Sequence, residues 1–252
     1  SWSYFVERSN LDSNQMRAEA IGRMDEMIND LVPDERAPSH LEYRVGFAPG
    51  SECIRNVAEN EDAELIVLGG PGGGKLRNLI VGSVAQETVR TSKRPVMVVP
   101  ADDTGEDVDR IVAPVDFSEY SKESLREAGH WAQREDAHLQ VLHAVSAPSG
   151  LSSFGFQASE EELQEVRAKA SERLEEMIEE VGLGGLDHET NVVVGEADRA
   201  IVEAARAAEA DLIVMGTQGR RGLESFFVGS TAMKVLRSLP CPVVTLRAAE
   251  SS

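Results

Sequence analysis

Two stretches of this chain repeat one another. AELIVLGGPGGGKLRNLIVGSVAQETVR (63–90) and ADLIVMGTQGRRGLESFFVGSTAMKVLR (210–237) align without a gap at an offset of 147. The same offset pairs Pro95 and Val96 with Pro242 and Val243. Upstream, RAEAIGRMDEMIND (17–30) pairs with RAKASERLEEMIEE (167–180) at an offset of 150. This period is far too long for a stacked repeat array, so each copy is a domain. The 252 residues suffice for two domains with full cores.

The second copy alternates strand and helix patterns. RIVAPVD (110–116) is a short apolar run, and SKESLREAGHWAQRE (121–135) carries Leu125, Ala128, Trp131 and Ala132 at helical steps. LQVLHAV (139–145) is a second strand. SEEELQEVRAKASERLEEMIEEVG (159–182) is a long helix, with Ser159 and Glu162 at capping-box spacing. TNVVVG (190–195), DRAIVEAARAAEA (198–210), DLIVMG (211–216), STAMKVLRSL (230–239) and CPVVTLR (241–247) complete the series. Near-continuous apolar strands separated by helices predict an α/β fold: a parallel sheet covered on both faces. Right-handed crossovers then make it doubly wound.

The first copy opens late. Its long helix is predicted to begin near residue 14, and it has no counterpart of the strand, helix and strand at 110–145. SWSYFVERSN (1–10) is too short to replace them; it reads as a connection or as a strand with Trp2, Tyr4 and Val6 alternating. The expected layout is an incomplete first domain (1–100), an acidic linker ADDTGEDVD (101–109) and a complete second domain (110–252). A fragment of a longer protein and an intact chain with a decayed first domain both fit that layout.

Charge narrows the function classes. The net charge of −19 excludes the basic footprint that nucleic acid or anionic lipid requires. Five of the 25 basic residues are lysines, and such an acidic surface suits a salt-rich cytoplasm or simply an acidic bacterial protein. No signal peptide is expected, no apolar run in the sequence reaches membrane length, and the two cysteines, Cys53 and Cys241, form no metal-ligand cluster. A reduced, cytoplasmic protein with structural thiols is the expectation.

The glycines carry the chemistry. Gly69, Gly74 and Lys75 imitate a Walker A loop, but the next residue is Leu76, which has no hydroxyl for magnesium. Alignment of the copies gives a different pattern. Gly216-x-x-Gly219 is followed after nine residues by Gly229-Ser230, and Gly69-x-x-Gly72 after nine residues by Gly82-Ser83. Such a loop leaves the carboxyl end of a strand, where open α/β sheets bind ligands. It ends at a helix whose first N–H groups suit an anion. Spacing alone leaves two readings open: an anion cradle, or tight strand-to-helix turns.

VAPVDFSEYS near the start of the second copy, with VMGTQGRRGLESFFVGSTAMKVLRSLPCPVVTLR near its end, resembles the universal stress protein family. The resemblance spans the second copy and the available part of the first. It implies a five-stranded parallel sheet in the order 3-2-1-4-5, with the last strand pairing across a homodimer or an intrachain interface. It implies binding of ATP, or AMP, with magnesium as an optional companion. Carried over, Pro114, Val115 and Asp116 flank adenine and ribose, and Ala144 meets adenine through its backbone. Met215, Gly216 and Gly219 open the phosphate loop, and Gly229, Ser230, Thr231 and Ala232 close it. Arg220 either pairs with a phosphate or is solvated. The first copy retains Leu68, Gly69, Gly72, Gly82 and Ser83 and lacks counterparts of Asp116 and Ala144, so weak or no binding is expected there.

No catalytic set is legible. Asp116, His143 and Ser230 approach one sheet edge, but His143 reads as a core histidine, and the other histidines have no zinc spacing. A nucleotide sensor, a non-catalytic interaction module such as the cytosolic part of a membrane transporter, and a slow ATP hydrolase are the three function classes to separate.

Overall fold

The computed structural model describes residues 13–32, 38–70, 82–103, 105, 107–145, 159–218 and 228–247. The first copy contributes α1 (Ser13–Leu31), α2 (Gly50–Asn60), β1 (Ile66–Gly69), α3 (Ser83–Thr91) and β2 (Val96–Val99). The second contributes β3 (Arg110–Pro114), α4 (Glu119–Glu135), β4 (His138–Val145), α5 (Glu160–Glu180) and β5 (His188–Val194). It continues with α6 (Ala197–Ala207), β6 (Leu212–Gly216), α7 (Ser230–Ser238) and β7 (Val243–Leu246).

Local signals account for the helix starts. Ser159 caps α5 as its spacing predicts: the Glu162 N–H donates to Ser159 Oγ (3.2 Å), and the Ser159 N–H donates to Glu162 Oε2 (2.7 Å). α4 begins two residues earlier than its apolar pattern suggests, because Ser118 Oγ accepts the Ser121 N–H at 3.1 Å.

The strands form one seven-stranded sheet in the order β1-β2-β7-β6-β3-β4-β5. Residues 110–247 account for β5-β4-β3-β6-β7, which is 3-2-1-4-5 counted from that copy's own first strand. The expected five-stranded sheet is thus part of a larger one. β2 joins it antiparallel to β7, through Val96↔Thr245, Met97↔Val244 and Val98↔Val243. Thr245 Oγ1 also donates to the Val96 carbonyl at 3.1 Å. All the other strand pairs are parallel.

Helices cover both faces, as continuous apolar strands require. Leu125, Ala128, Leu174 and Ile178 of α4 and α5 pack on Ile111, Leu139, Val141 and Val214. On the other face Val89, Ile201 and Leu236 of α3, α6 and α7 pack on Val98, Val112, Ile213 and Val243. That second cluster mixes residues of both copies, so the β2–β7 join lies inside a shared core.

The first copy is covered less. Val67 of β1 is 58% exposed, whereas its counterpart Val214 is at 0%. Met27 of α1 is 53% exposed against 3% for Met177, and α1 buries none of its residues. The reason is compositional. Val214 and Met177 are covered by the cluster that β3, β4 and α4 build, and the first copy has no counterparts of those elements in this sequence. Residues 41–46 align with β5 but form no strand, as among the described residues there is no counterpart of β4 for them to pair with.

His188 ties β5 to α5. Its Nδ1–H donates to the Leu186 carbonyl (2.9 Å), and Nε2 lies 3.3 Å from Glu175 Oε2. The Leu186 bond and then the Glu175 carboxylate hold its pKa above the ordinary 6.5, against the opposing effect of burial. A pKa raised on folding stabilises fully below the ordinary value, and that contribution is lost as pH rises through the elevated one. NMR titration of His188 is expected to show a midpoint above 6.5. Glu175→Gln is expected to lower it in part only, since the Leu186 carbonyl is the larger cause. A midpoint at or below the ordinary value would contradict this account.

Candidate functional site

β3 and β6 lie side by side and parallel, with Ile111↔Leu212 and Val112↔Ile213 in register. From this pair the chain runs outward in opposite directions, β3 to β4 and β6 to β7. Their carboxyl ends therefore flank the crevice at a topological switch point, the usual ligand position in open α/β sheets.

The first wall is the turn after β3. The Val115 N–H donates to the Leu142 carbonyl at 2.8 Å, extending the ladder by one residue. Asp116 then turns the chain into α4: its Oδ1 accepts the Ser118 N–H (3.1 Å) and the Ser118 hydroxyl (2.6 Å). Phe117 between them has a φ of 61°, a left-handed backbone that costs a non-glycine residue roughly 1–2 kcal/mol. Asp116 and Pro114 are half-buried, and Val115 is buried.

The second wall is the segment after β6. Gly216 packs against the first turns of α4; a Cβ there would lie 3.6 Å from the Tyr120 carbonyl and 3.4 Å from that of Gln218. The N–H and hydroxyl of Thr217 both donate to the Leu246 carbonyl, at 2.8 and 3.1 Å. The Thr217 carbonyl in turn accepts the Gly229 N–H at 2.6 Å. The two ends of the glycine loop are thus fastened together where α7 starts. Gly229 is the N-cap of α7 with φ −58° and ψ 146°, and no side chain caps the helix there. A Cβ on Gly229 would stand 3.2 Å from the Thr217 carbonyl, a tight fit. The positive end of α7 faces outward at Ser230, which is exposed, and Thr231, which is half-buried.

The structure brings Pro114, Val115, Asp116, Gly216, Gly229, Ser230 and Thr231 to this one end of the sheet, with Ala144 on the neighbouring β4. The Met215 and Ala232 side chains are buried in the core beside Val235, so these two residues offer the crevice only backbone. Gly219 and Arg220 lie outside the described residues, as do Gly72 and Lys75 of the first copy. In that copy Gly82 caps α3 with φ −54° and ψ 146°, almost the geometry of Gly229. Gly82 and Ser83 are exposed there, Leu68 is half-buried, and a Cβ on Gly69 would meet nothing within 4 Å.

Two residues escaped the sequence reading, and a third was read differently. Ser118 anchors Asp116 and starts α4. Thr217, where the first copy has Gly70, ties the loop to β7. His143 is not a core residue: it is half-buried, with Nδ1 2.8 Å from the Val115 carbonyl and its ring 4.3 Å from that of Phe117. The Arg173 guanidinium lies 4.4 Å from the centre of the Phe117 ring. The alternation along β4 gave no sign of this, because it does not reveal where β3 stops. Among the described residues no three His, Cys, Asp or Glu side chains gather as a metal site. Burial, followed by the charges of Asp211 and Asp103, pushes the Cys241 thiol up to about 12, so it stays protonated. No helix of the described residues is long and apolar enough to cross a membrane.

A sequence model of the universal stress protein family matches the chain twice, over residues 6–100 and 107–247. A universal stress protein of Synechocystis is 32% identical over 149 residues, covering 55% of this chain and 97% of that protein. One from Mycobacterium tuberculosis is 29% identical over 194 residues, 75% of this chain and 63% of the relative, so the chain spans less than two thirds of it. The crystal structure of a universal stress protein from Archaeoglobus fulgidus has the same fold, with a TM-score of 0.61 at 21% identity, over 97% of this chain and 83% of that one.

Proposed function

Because the chain belongs to the universal stress protein family, we propose that residues 110–247 bind an adenine nucleotide, ATP foremost, as a regulatory ligand. The observation that carries this reading is the convergence of two strand ends with the uncapped head of α7 at one switch point. The Asp116 carboxylate turns to the ribose, and the Ala144 backbone meets adenine. The amides at Gly229, Ser230 and Thr231 receive the phosphates, where magnesium would share the charge. A glycine at 229 suits that role, since the space beside it is already narrow. Gly219 and Arg220 belong to the same phosphate side.

We assign this site binding rather than turnover; weak phosphate release from bound ATP is compatible with the assignment. The first copy holds only the phosphate-side half, with no counterparts of Asp116 and Ala144, and we assign it weak or no binding. The uncovered face at Val67 and α1 favours a second role as an interaction module, compatible with the first, and a membrane transporter is one such partner.

Calorimetry with ATP is expected to give saturable binding at one site per chain, with AMP weaker. No heat and no retained nucleotide at millimolar ATP would end this reading. Phosphate release that falls on Asp116→Ala in step with binding would move the site to the hydrolase class.

A further inference from the structure

β4 outruns β3, and that mismatch decides what the crevice can offer a base. Along a strand, alternate residues direct both N–H and C=O to the same side. On β4 the even positions face β3: the His138 N–H donates to the Asp109 carbonyl, and the Leu142 carbonyl accepts from Val115. The odd positions face β5: the Leu139 N–H donates to the Asp187 carbonyl, and the Val145 carbonyl accepts from Gly195. Ala144 is even, so its N–H and C=O point to β3's side, where β3 has ended at Pro114.

One more rung would close that edge. In a parallel ladder the Val115 carbonyl, two atoms on from an N–H already bonded to Leu142, would take the Ala144 N–H. No backbone bond of the described residues forms this rung. The His143 imidazole reaches the same carbonyl, at 2.8 Å. A carbonyl only accepts, so Nδ1 carries the proton. The ring is held beside Phe117, centroids 4.3 Å apart, and Phe117's left-handed backbone carries the chain away from β4 at this point.

We infer that His143 is a positioning residue which, by occupying the Val115 carbonyl, keeps the sheet edge open and the Ala144 amide turned into the crevice for the base of the ligand. The inference rests on the nucleotide reading for its ligand. Its structural half is independent of that reading: without the imidazole, the ladder gains a rung and the crevice loses a donor. His143 would touch no ligand atom itself; it acts through Val115 and Ala144.

The test is hydrogen exchange of the Ala144 amide by NMR, without nucleotide, in the full chain. His143→Leu is expected to slow that exchange by about tenfold as the rung closes, and to weaken ATP by about tenfold. His143→Asn, whose side-chain N–H can reach the same carbonyl, is expected to keep both near the parent values, a rescue that loss of packing alone would not give. Ala144 exchange unmoved by His143→Leu would overturn the inference. If His143→Leu does not fold, the parent protein still decides. Its His143 ring nitrogens, observed above the imidazole titration, should show the Nδ1–H tautomer, and the Nε2–H tautomer would overturn the claim. Should the parent bind no ATP, the nucleotide reading falls, while the exchange and tautomer results still judge His143.

Discussion

Gly229→Asp is expected to leave the protein folded and to weaken ATP binding by about a hundredfold, roughly 2.7 kcal/mol. The two halves of that expectation have separate causes. Aspartate is a good N-cap, and Gly229 offers α7 no capping side chain: the new carboxylate can accept from the second or third helical N–H and sits well at a positive helix end. Against this stands the 3.2 Å approach of the new Cβ to the Thr217 carbonyl, which requires a shift of a few tenths of an ångström. Stability should therefore change little. Binding should not survive, because the same carboxylate stands where the phosphates are assigned. Two like charges about 4 Å apart cost about 4 kcal/mol at an effective dielectric of 20, before screening by salt. Thermal melting and ATP calorimetry on one preparation check both halves. Unchanged affinity in a folded variant would remove the head of α7 from the binding site.

The second large effect concerns the join between the copies. Val98 is fully buried, paired with Val243, and packed in the cluster that holds Val89, Ile213 and Leu236. Val98→Asp places a carboxylate there with no cation to meet it, at a cost of roughly 3 kcal/mol or more. The first-copy elements have little else to hold them: β1 rests on β2, and α1 buries nothing. Urea unfolding is therefore expected to split, with β1, β2 and α3 lost before the second copy. Val67→Asp, on the exposed outer side of β1, serves as the control and should stay within about 0.5 kcal/mol of the parent. A single transition at the parent midpoint for Val98→Asp would show that the join contributes little.

Much of this architecture is legible in the residues because it is local. The Ser159–Glu162 capping box, the apolar runs that became β3 and β6, and the Gly229-Ser230 helix start each depend on a few adjacent side chains. The seven-stranded sheet is not local. Nothing in VMVV or VVTL says that these two runs will lie antiparallel to one another; that follows from both copies needing to bury a last strand on the same side. His143 shows the same limit on a smaller scale. Its place in an apolar strand suggests the core, yet its role depends on β3 stopping at Pro114 while β4 continues to Val145. The end of β3 is set by the competing Asp116–Ser118 turn that directly follows it, a feature of the neighbouring strand and not of β4 itself. The partly exposed first copy likewise reflects elements of the second copy that have no counterpart among the described residues, not the residues it has.

The antiparallel pairing of β2 with β7 has a geometrical consequence. β1 runs with β2, and β6 runs with β7, so the two copies have opposite polarity within one continuous sheet. The carboxyl end of β1 at Gly69 and that of β6 at Gly216 consequently lie at opposite poles of the sheet. A small ligand bound at one pole therefore cannot also touch the other.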